Sequence, residues 1–313
     1  MIKLSLAVPC FNEQDNVIPF YEAVRSAFGG RDFTYEIVFV NDGSRDDTSA
    51  KLREIYDRHD GNVTVIDFSR NFGKEAAVFA ALKHCRGELT VVIDADLQQR
   101  PEVALEMYDH LEKDPSCDCV AAYQQKRREG FFMKFCKTGF YSLVNKISDT
   151  KFHPDASDFR MFRKNMRDAV VELHEYQRFS KGIFSWVGFE THFIPYTAEE
   201  RHAGVSAWNF RKLFGYAVDG IIAYTTAPLK LPLYLGSAAV IAGIAGLITA
   251  LFLGDISDRR YTVILSVIAV FGGVQLIVSG IIGEYLARVY MQGKDRPIYI
   301  ERSCLTYTEA DDE

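Results

Sequence analysis

The sequence predicts an α/β domain built on a mainly parallel sheet with helices on both faces, followed by two apolar helical spans. Three observations carry this. Short apolar β runs alternate with helical patterns over the first 125 residues, and such repetition specifies a parallel sheet. Acid- and amide-rich turns follow the strands, at the carboxyl ends where these sheets bind ligands. Two stretches without a charge, Leu231–Leu253 and Tyr261–Gly283, lie in the last quarter.

In order, Leu4–Val8 is a short strand and Asn16–Phe28 a helix. Tyr35–Val40 is a buried strand, Asp47–His59 a helix and Val63–Phe68 a strand. Lys74–Cys85 is a helix, Leu89–Ile93 a strand, Pro101–Leu111 a helix and Cys119–Tyr123 a strand. Each uncharged stretch holds 23 residues. As a helix it reaches about 35 Å, enough for a hydrocarbon core of about 30 Å. Buried core helices are the alternative. The length and the small residues (Gly236, Gly243, Gly246, Gly272, Gly273, Gly280, Gly283) favour membrane helices packed closely.

The seven-residue connection Gly254–Arg260 makes the spans a tight hairpin. Tyr196–Lys230 holds four basic residues and Glu284–Glu313 four, against two in the loop, which places both flanks in the cytoplasm. Between Leu213 and Pro228 the only charge is Asp219. That segment reads as a helix on the membrane surface, with a core helix as competitor. The expected organisation is a cytoplasmic domain over 1–200, juxtamembrane helices over 201–230, spans over 231–253 and 261–283, and a cytoplasmic tail over 284–313. The N-terminal apolar run is too short for a signal peptide.

Lys plus Arg number 36 and Asp plus Glu 42, a net charge of −6 that disfavours a duplex nucleic-acid partner. With 48% apolar and 25% charged residues, disorder over most of the chain is excluded. The cysteines, Cys10, Cys85, Cys117, Cys119, Cys136 and Cys304, form no C-x-x-C pair and have no histidine at metal spacing beside them. They read as reduced thiols, with no zinc site.

The strand ends carry Pro9-Cys10-Phe11-Asn12-Glu13, Asn41-Asp42-Gly43-Ser44, Ser69-Arg70-Asn71-Phe72-Gly73-Lys74 and Asp94-Ala95-Asp96-Leu97-Gln98. Asp and Asn cap helices routinely, but four such turns on one rim exceed capping. P-loop and dinucleotide fingerprints are absent. Asp94 and Asp96 directly follow a strand. Carboxylates there suit a hard divalent cation bound together with substrate phosphates. The other reading is an N-cap for the helix at Pro101. Lys126, Arg127, Arg128, Arg178 and Arg201 are candidates for holding phosphate; a run such as 126–128 also suits a solvated face.

Together these motifs resemble family 2 glycosyltransferases of the GT-A fold, and within them the polyprenyl-phosphate glycosyltransferases. The matching segments are VPCFNEQDN (8–16), VNDGSRDDT (40–48), SRNFGKEAA (69–77), DADLQQRPE (94–102), SDFRMF (157–162), EERHAGVSAW (199–208) and IGEYLARVYMQGKDRPIYI (282–300). The resemblance implies inverting transfer of one sugar from a nucleotide diphosphate donor to the phosphate of a membrane polyprenol, in bacteria undecaprenyl phosphate. It implies Mg²⁺ or Mn²⁺ at Asp94, Asp96 and Gln98. Pro9, Asn12, Glu13, Asp42 and Lys74 then surround the donor nucleotide with Asp94. Asp158 takes the position often proposed as base, and Arg160, two residues on, shares its face and can pair with it. Arg201 lies near the donor phosphates.

Two departures stand out. Gln99-Arg100-Pro101-Glu102 replaces Asp-Pro-Pro-Glu, and Ala207 stands where the family has Lys. The acceptor is already largely ionised, since a phosphate monoester has a second pKa near 6, so a strong base is not required. UDP-glucose or another UDP-hexose or UDP-HexNAc is the expected donor, with GDP-mannose the alternative. A processive synthase usually carries a later Gln-x-x-Arg-Trp, absent here. A catalytically silent, membrane-tethered binding protein is disfavoured by the intact acids. The resemblance also implies an inner-membrane location, a flippase and a downstream transferase in the same pathway. No motif encodes the sugar or a homo-oligomer.

Overall fold

The computed structural model describes residues 2–124, 156–176, 178–197, 199, 234, 238, 241 and 260–307. Its strands are β1 (Leu4–Cys10), β2 (Tyr35–Asn41), β3 (Asn62–Phe68), β4 (Leu89–Val92), β5 (Cys119–Gln124), β6 (Ala156–Arg163), β7 (Thr191–Tyr196) and β8 (Glu301–Tyr307). They form one eight-stranded sheet in the order β7-β5-β6-β4-β1-β2-β3-β8. β1 to β4 run parallel to one another, and β7 runs parallel to β5. β6 is antiparallel to β4 and β5, and β8 to β3. The helices are α1 (Val17–Phe28), α2 (Thr48–Asp57), α3 (Lys74–His84), α4 (Pro101–Lys113), α5 (Lys164–Glu172), α6 (Ser180–Trp186) and α7 (Arg260–Gly293).

The central strands are buried on both faces and therefore read as continuous apolar runs. One core layer joins Phe20, Tyr21 and Val24 of α1, Leu52 of α2 and Met107 of α4 to the sheet. The other lies under α3, α5 and α6, with Ala77, Ala81, Met166 and Phe184 against Phe68 and Phe162. α1 buries Val17, Phe20, Tyr21, Val24 and Phe28 at helical spacing. In α3 every residue from Ala76 to Leu82 is buried, so it is apolar all round.

β4 pairs with β1 only through Ala7. The ladder between the two strands ends at that point, where the crossovers change face and sheets of this kind bind ligands. Pro9 sits in the unpaired stretch, opposite Val40 of β2. By strand alternation its missing N–H falls on the open side, which is how a proline is tolerated in a central strand.

The sequence reading did not anticipate β6, β7, β8, α5 or α6. The segment expected as a tail over 284–313 contributes the end of α7 and an added edge strand. α7 has 34 residues, contains the expected 261–283 span and runs ten residues past it. Gln292 near its end accepts from the Tyr176 N–H at 2.9 Å and donates to the His174 carbonyl at 2.8 Å, fixing α7 to the segment after α5. Exposed apolar side chains on α7 include Ile264, Ile268, Phe271, Leu286 and Val289. Several α7 side chains between 261 and 277 are outside the description, as are the juxtamembrane segment 201–230 and all of 231–253 except 234, 238 and 241. Among the described residues no helix is long and apolar enough to cross a membrane.

Candidate active site

The ends of β1, β2, β3 and β4 meet at one rim, and the four polar turns are laced together there. The Asn12 N–H donates to Ser44 Oγ at 2.9 Å, and its side-chain oxygen accepts from the Arg45 N–H at 2.9 Å. Asn12 holds φ +55°, the left-handed region that Asn tolerates. The Glu13 N–H donates to Thr48 Oγ1 at 2.8 Å, and the Glu13 carboxylate accepts from Asn16 Nδ2 at 2.5 Å.

Asp42 sits just past β2, 3% exposed. Its carboxylate accepts from the N–H groups of Phe72 and Gly73 and from Asn71 Nδ2, at 2.6, 3.0 and 2.9 Å. Burial outweighs those bonds and pushes its pKa up to about 6. Gly43 allows this join between loops. It holds φ +62°, and an added Cβ would lie 2.4 Å from the Arg70 carbonyl carbon. Gly43→Ala is therefore expected to cost about 1–3 kcal/mol, as a lower stability in denaturant melts.

At the end of β4, Asp94 is fixed from both sides. Its N–H donates to Gln99 Oε1 at 2.9 Å. Lys74 Nζ, from the start of α3, lies 2.7 and 2.8 Å from its two oxygens. Burial works against the Lys74 charge, but Asp94, Asp158 and Glu75 hold its pKa above the ordinary value. Asp96 is 5% exposed and accepts from the Gln98 N–H at 3.1 Å. The tight turn uses Leu97 at φ +60°. Gln98 bonds Glu199 through its backbone carbonyl at 3.2 Å and its side-chain amide at 3.5 Å. Arg100 approaches the Glu199 carboxylate at 3.8 Å.

The antiparallel course of β6 explains how Asp158 joins this rim. Arg160 pairs with Val92, near the end of β4, so the start of β6 lies beyond that end. Asp158 Oδ1 is buried with no hydrogen-bond partner among the described residues. Burial pushes its carboxyl up, but Lys181, Lys74 and Arg160 outweigh it and hold it below the usual carboxylate range. Arg160 donates to the Ser157 carbonyl at 2.9 Å, with its guanidinium 4.2 Å from the Phe184 ring. Its charge thus acts on Asp158 from a side chain anchored elsewhere.

Two members of this cluster escaped the sequence reading. The Glu75 carboxylate accepts from the Ser180 N–H at 3.0 Å and also from the Ser180 hydroxyl. Burial and Asp158 raise its pKa, against Ser180 and Lys74. That clasp holds the start of α6, where Lys181 faces Asp158. Glu75 lies within the quoted segment 69–77 but reads there as an ordinary acid in a helix's first turn. Lys181 stands in no motif.

Arg178 is placed differently from a phosphate ligand. It donates to the carbonyls of Val170, at 3.2 Å, and Leu173, and lies 4.3 Å from the Phe79 ring. It closes the carboxyl end of α5. Lys126, Arg127, Arg128 and Arg201 lie outside the described residues.

The family model described as Glycosyl transferase family 2 matches residues 5–170. The Bactoprenol glucosyl transferase of Shigella phage SfV is 38% identical over 304 residues, 96% of this chain and 98% of that protein. The prophage bactoprenol glucosyl transferase homolog of Escherichia coli K12 is 36% identical over 304 residues, with the same coverage. Among solved structures, glucosyl-3-phosphoglycerate synthase of Mycobacterium tuberculosis, in complex with Mn²⁺, uridine diphosphate and phosphoglyceric acid, matches with TM-score 0.52 at 15% identity. The match covers 71% of this chain and 76% of that one. The fold is GT-A, and the chain belongs to glycosyltransferase family 2.

Proposed function

We propose that the chain transfers a single sugar, with inversion, from a nucleotide diphosphate sugar to polyprenyl phosphate at the cytoplasmic face of the inner membrane. The observation that carries the chemistry is the convergence of Asp94, Asp96 and Asp158 with Lys74 and Lys181 on one sheet rim. The acceptor is inferred from relatives similar over nearly their whole length and named for bactoprenol. UDP-glucose is the favoured donor on the same ground. The uncharged stretches 231–253 and 261–283 are proposed to hold the domain at the bilayer, where both substrates meet.

In the step itself, an acceptor phosphate oxygen bonds to the anomeric carbon as the bond from that carbon to the donor diphosphate breaks. The nucleoside diphosphate leaves with the electron pair. A dianionic acceptor gives up no proton. Lys74 and Lys181 offset the charge brought together by two phosphate groups, and Asp158 orients the groups between them. The donor set of Asp94 and Asp96, with Gln98 beside them, fits a hard divalent cation, and Asp94 faces the Lys74 ammonium at 2.7 Å. Held by these residues, Mg²⁺ or Mn²⁺ would supply the positive charge that offsets the diphosphate leaving group. Asn12, Glu13 and Asp42 line the nucleotide end.

The test is transfer of label from a panel of UDP- and GDP-sugars to undecaprenyl phosphate in detergent, with and without chelator. Label in the organic phase from one donor, lost on chelation, is the expected result. No transfer from any donor by folded protein overturns the reading.

Asp42 adds a pH signature. Its folded pKa is raised to about 6, so the carboxylate carries its charge above that pH and loses it below. Donor affinity is expected to be flat above about pH 6 and to fall toward tenfold per unit below it. Asp42→Asn should flatten the profile. Affinity for the intact nucleotide sugar that ignores pH across this window removes Asp42 from the donor site.

A further inference from the structure

Away from the acid rim, β8 and α3 bring three metal-binding side chains together. His84 closes α3, and its Nδ1 lies 2.9 Å from the Ala80 carbonyl. That bond places the proton on Nδ1 and leaves Nε2 as the outward donor atom, the arrangement usual for metal-ligating histidine. His84 Nε2 is 3.5 Å from Glu301 Oε1.

Cys304 completes the group through an irregularity in the sheet. In a regular strand, residues three apart face opposite sides. Here Ser303 pairs with Asp67, but Glu301 pairs with Phe68, so Arg302 is an extra residue and the register shifts. The bulge turns Glu301 to the same face as Cys304, whose partner is Ile66. Ile66 and Phe68 both belong to the core layer under α3, so that face is the one His84 overlooks. The ligand atoms of His84, Glu301 and Cys304 lie within 4.8 Å of one another. Around zinc, such atoms sit about 3.3–3.6 Å apart, from bond lengths of about 2.0–2.3 Å in tetrahedral array. Closing that gap takes a shift of about 1 Å in partly exposed side chains. Tyr299 steadies the site: its hydroxyl bonds Glu301, and its ring stacks on Phe68 at 4.9 Å.

We propose that His84, Glu301 and Cys304 form a zinc site, with water completing the tetrahedron. The nitrogen, oxygen and sulfur set selects zinc over the magnesium or manganese suited to Asp94 and Asp96. Binding releases the thiol proton and joins sulfur to the metal. The ion fastens the edge strand that follows α7 to the helix whose first turn carries Lys74 and Glu75.

The experiment uses the full chain in detergent, stripped with chelator and titrated with Co²⁺ as a spectroscopic stand-in for zinc. One equivalent should give a thiolate-to-cobalt charge-transfer band and the intense visible bands of tetrahedral cobalt, displaced by Zn²⁺. Cys304→Ser should abolish the charge-transfer band, and His84→Ala should weaken affinity about tenfold or more. Asp96→Asn should leave the band intact. Metal-free melting temperatures of the variants serve as the folding control. No thiolate band, a band that survives Cys304→Ser, or one lost in Asp96→Asn overturns the site.

Discussion

Asp158→Asn is expected to lower the turnover of sugar transfer by about 10²–10⁴-fold, with donor affinity nearly unchanged. Asn keeps the size of the side chain and removes the charge. In the wild-type protein that charge lies among Lys181, Lys74 and Arg160, which keep it ionised despite burial. Its Oδ1 has no partner among the described residues, as expected of an atom kept for substrate. Loss of the charge frees both lysines to draw the two phosphate groups out of line. The effect should appear in kcat rather than donor KM. Residual activity should follow acceptor ionisation, rising through about pH 6 and then levelling. A variant with wild-type kcat would remove Asp158 from the chemistry.

Asp96→Asn is the other large change, with an expected loss of about 10²–10³-fold or more in transfer. Asp96 is nearly buried, and its turn is held by Gln98. The substitution keeps that turn but removes a charge that a divalent cation needs. The activity that remains should no longer respond to added Mn²⁺ or Mg²⁺, and donor binding should lose its metal dependence. Metal-dependent transfer at the wild-type rate in this variant would show that the cation is held elsewhere.

The strand ends were legible in sequence because each ladder is local in pattern: a buried apolar run followed by a polar turn. Asp42, Asp94 and Asp96 could be named as rim residues on that basis. Asp158 was reached only through resemblance, since nothing in its own segment announces an antiparallel strand inserted between β4 and β5. Glu75 and Lys181 were missed because their partners, Ser180 and Asp158, lie on other elements. Arg178 was named for phosphate; in the structure two of its donors go to backbone carbonyls at the end of α5, a use of arginine that composition does not distinguish.

The sequence by itself determined the α/β class, the rim of acids and amides, and the two uncharged stretches near the end. These follow from periodicity and composition, which act over a few residues at a time. Only the tertiary structure decided which strand carries Asp158 to the rim, how Glu75 holds Lys181 beside it, and that 301–307 returns as an edge strand. It also decided that His84, Glu301 and Cys304 bring their ligand atoms within 4.8 Å of one another, a meeting that spacing along the chain does not show. His84 and Cys304 are far apart along the chain, and a single bulge at Arg302 puts Glu301 on their face. Such meetings depend on strand order, direction and register, which are set by the packing of the whole sheet rather than by any local run of residues.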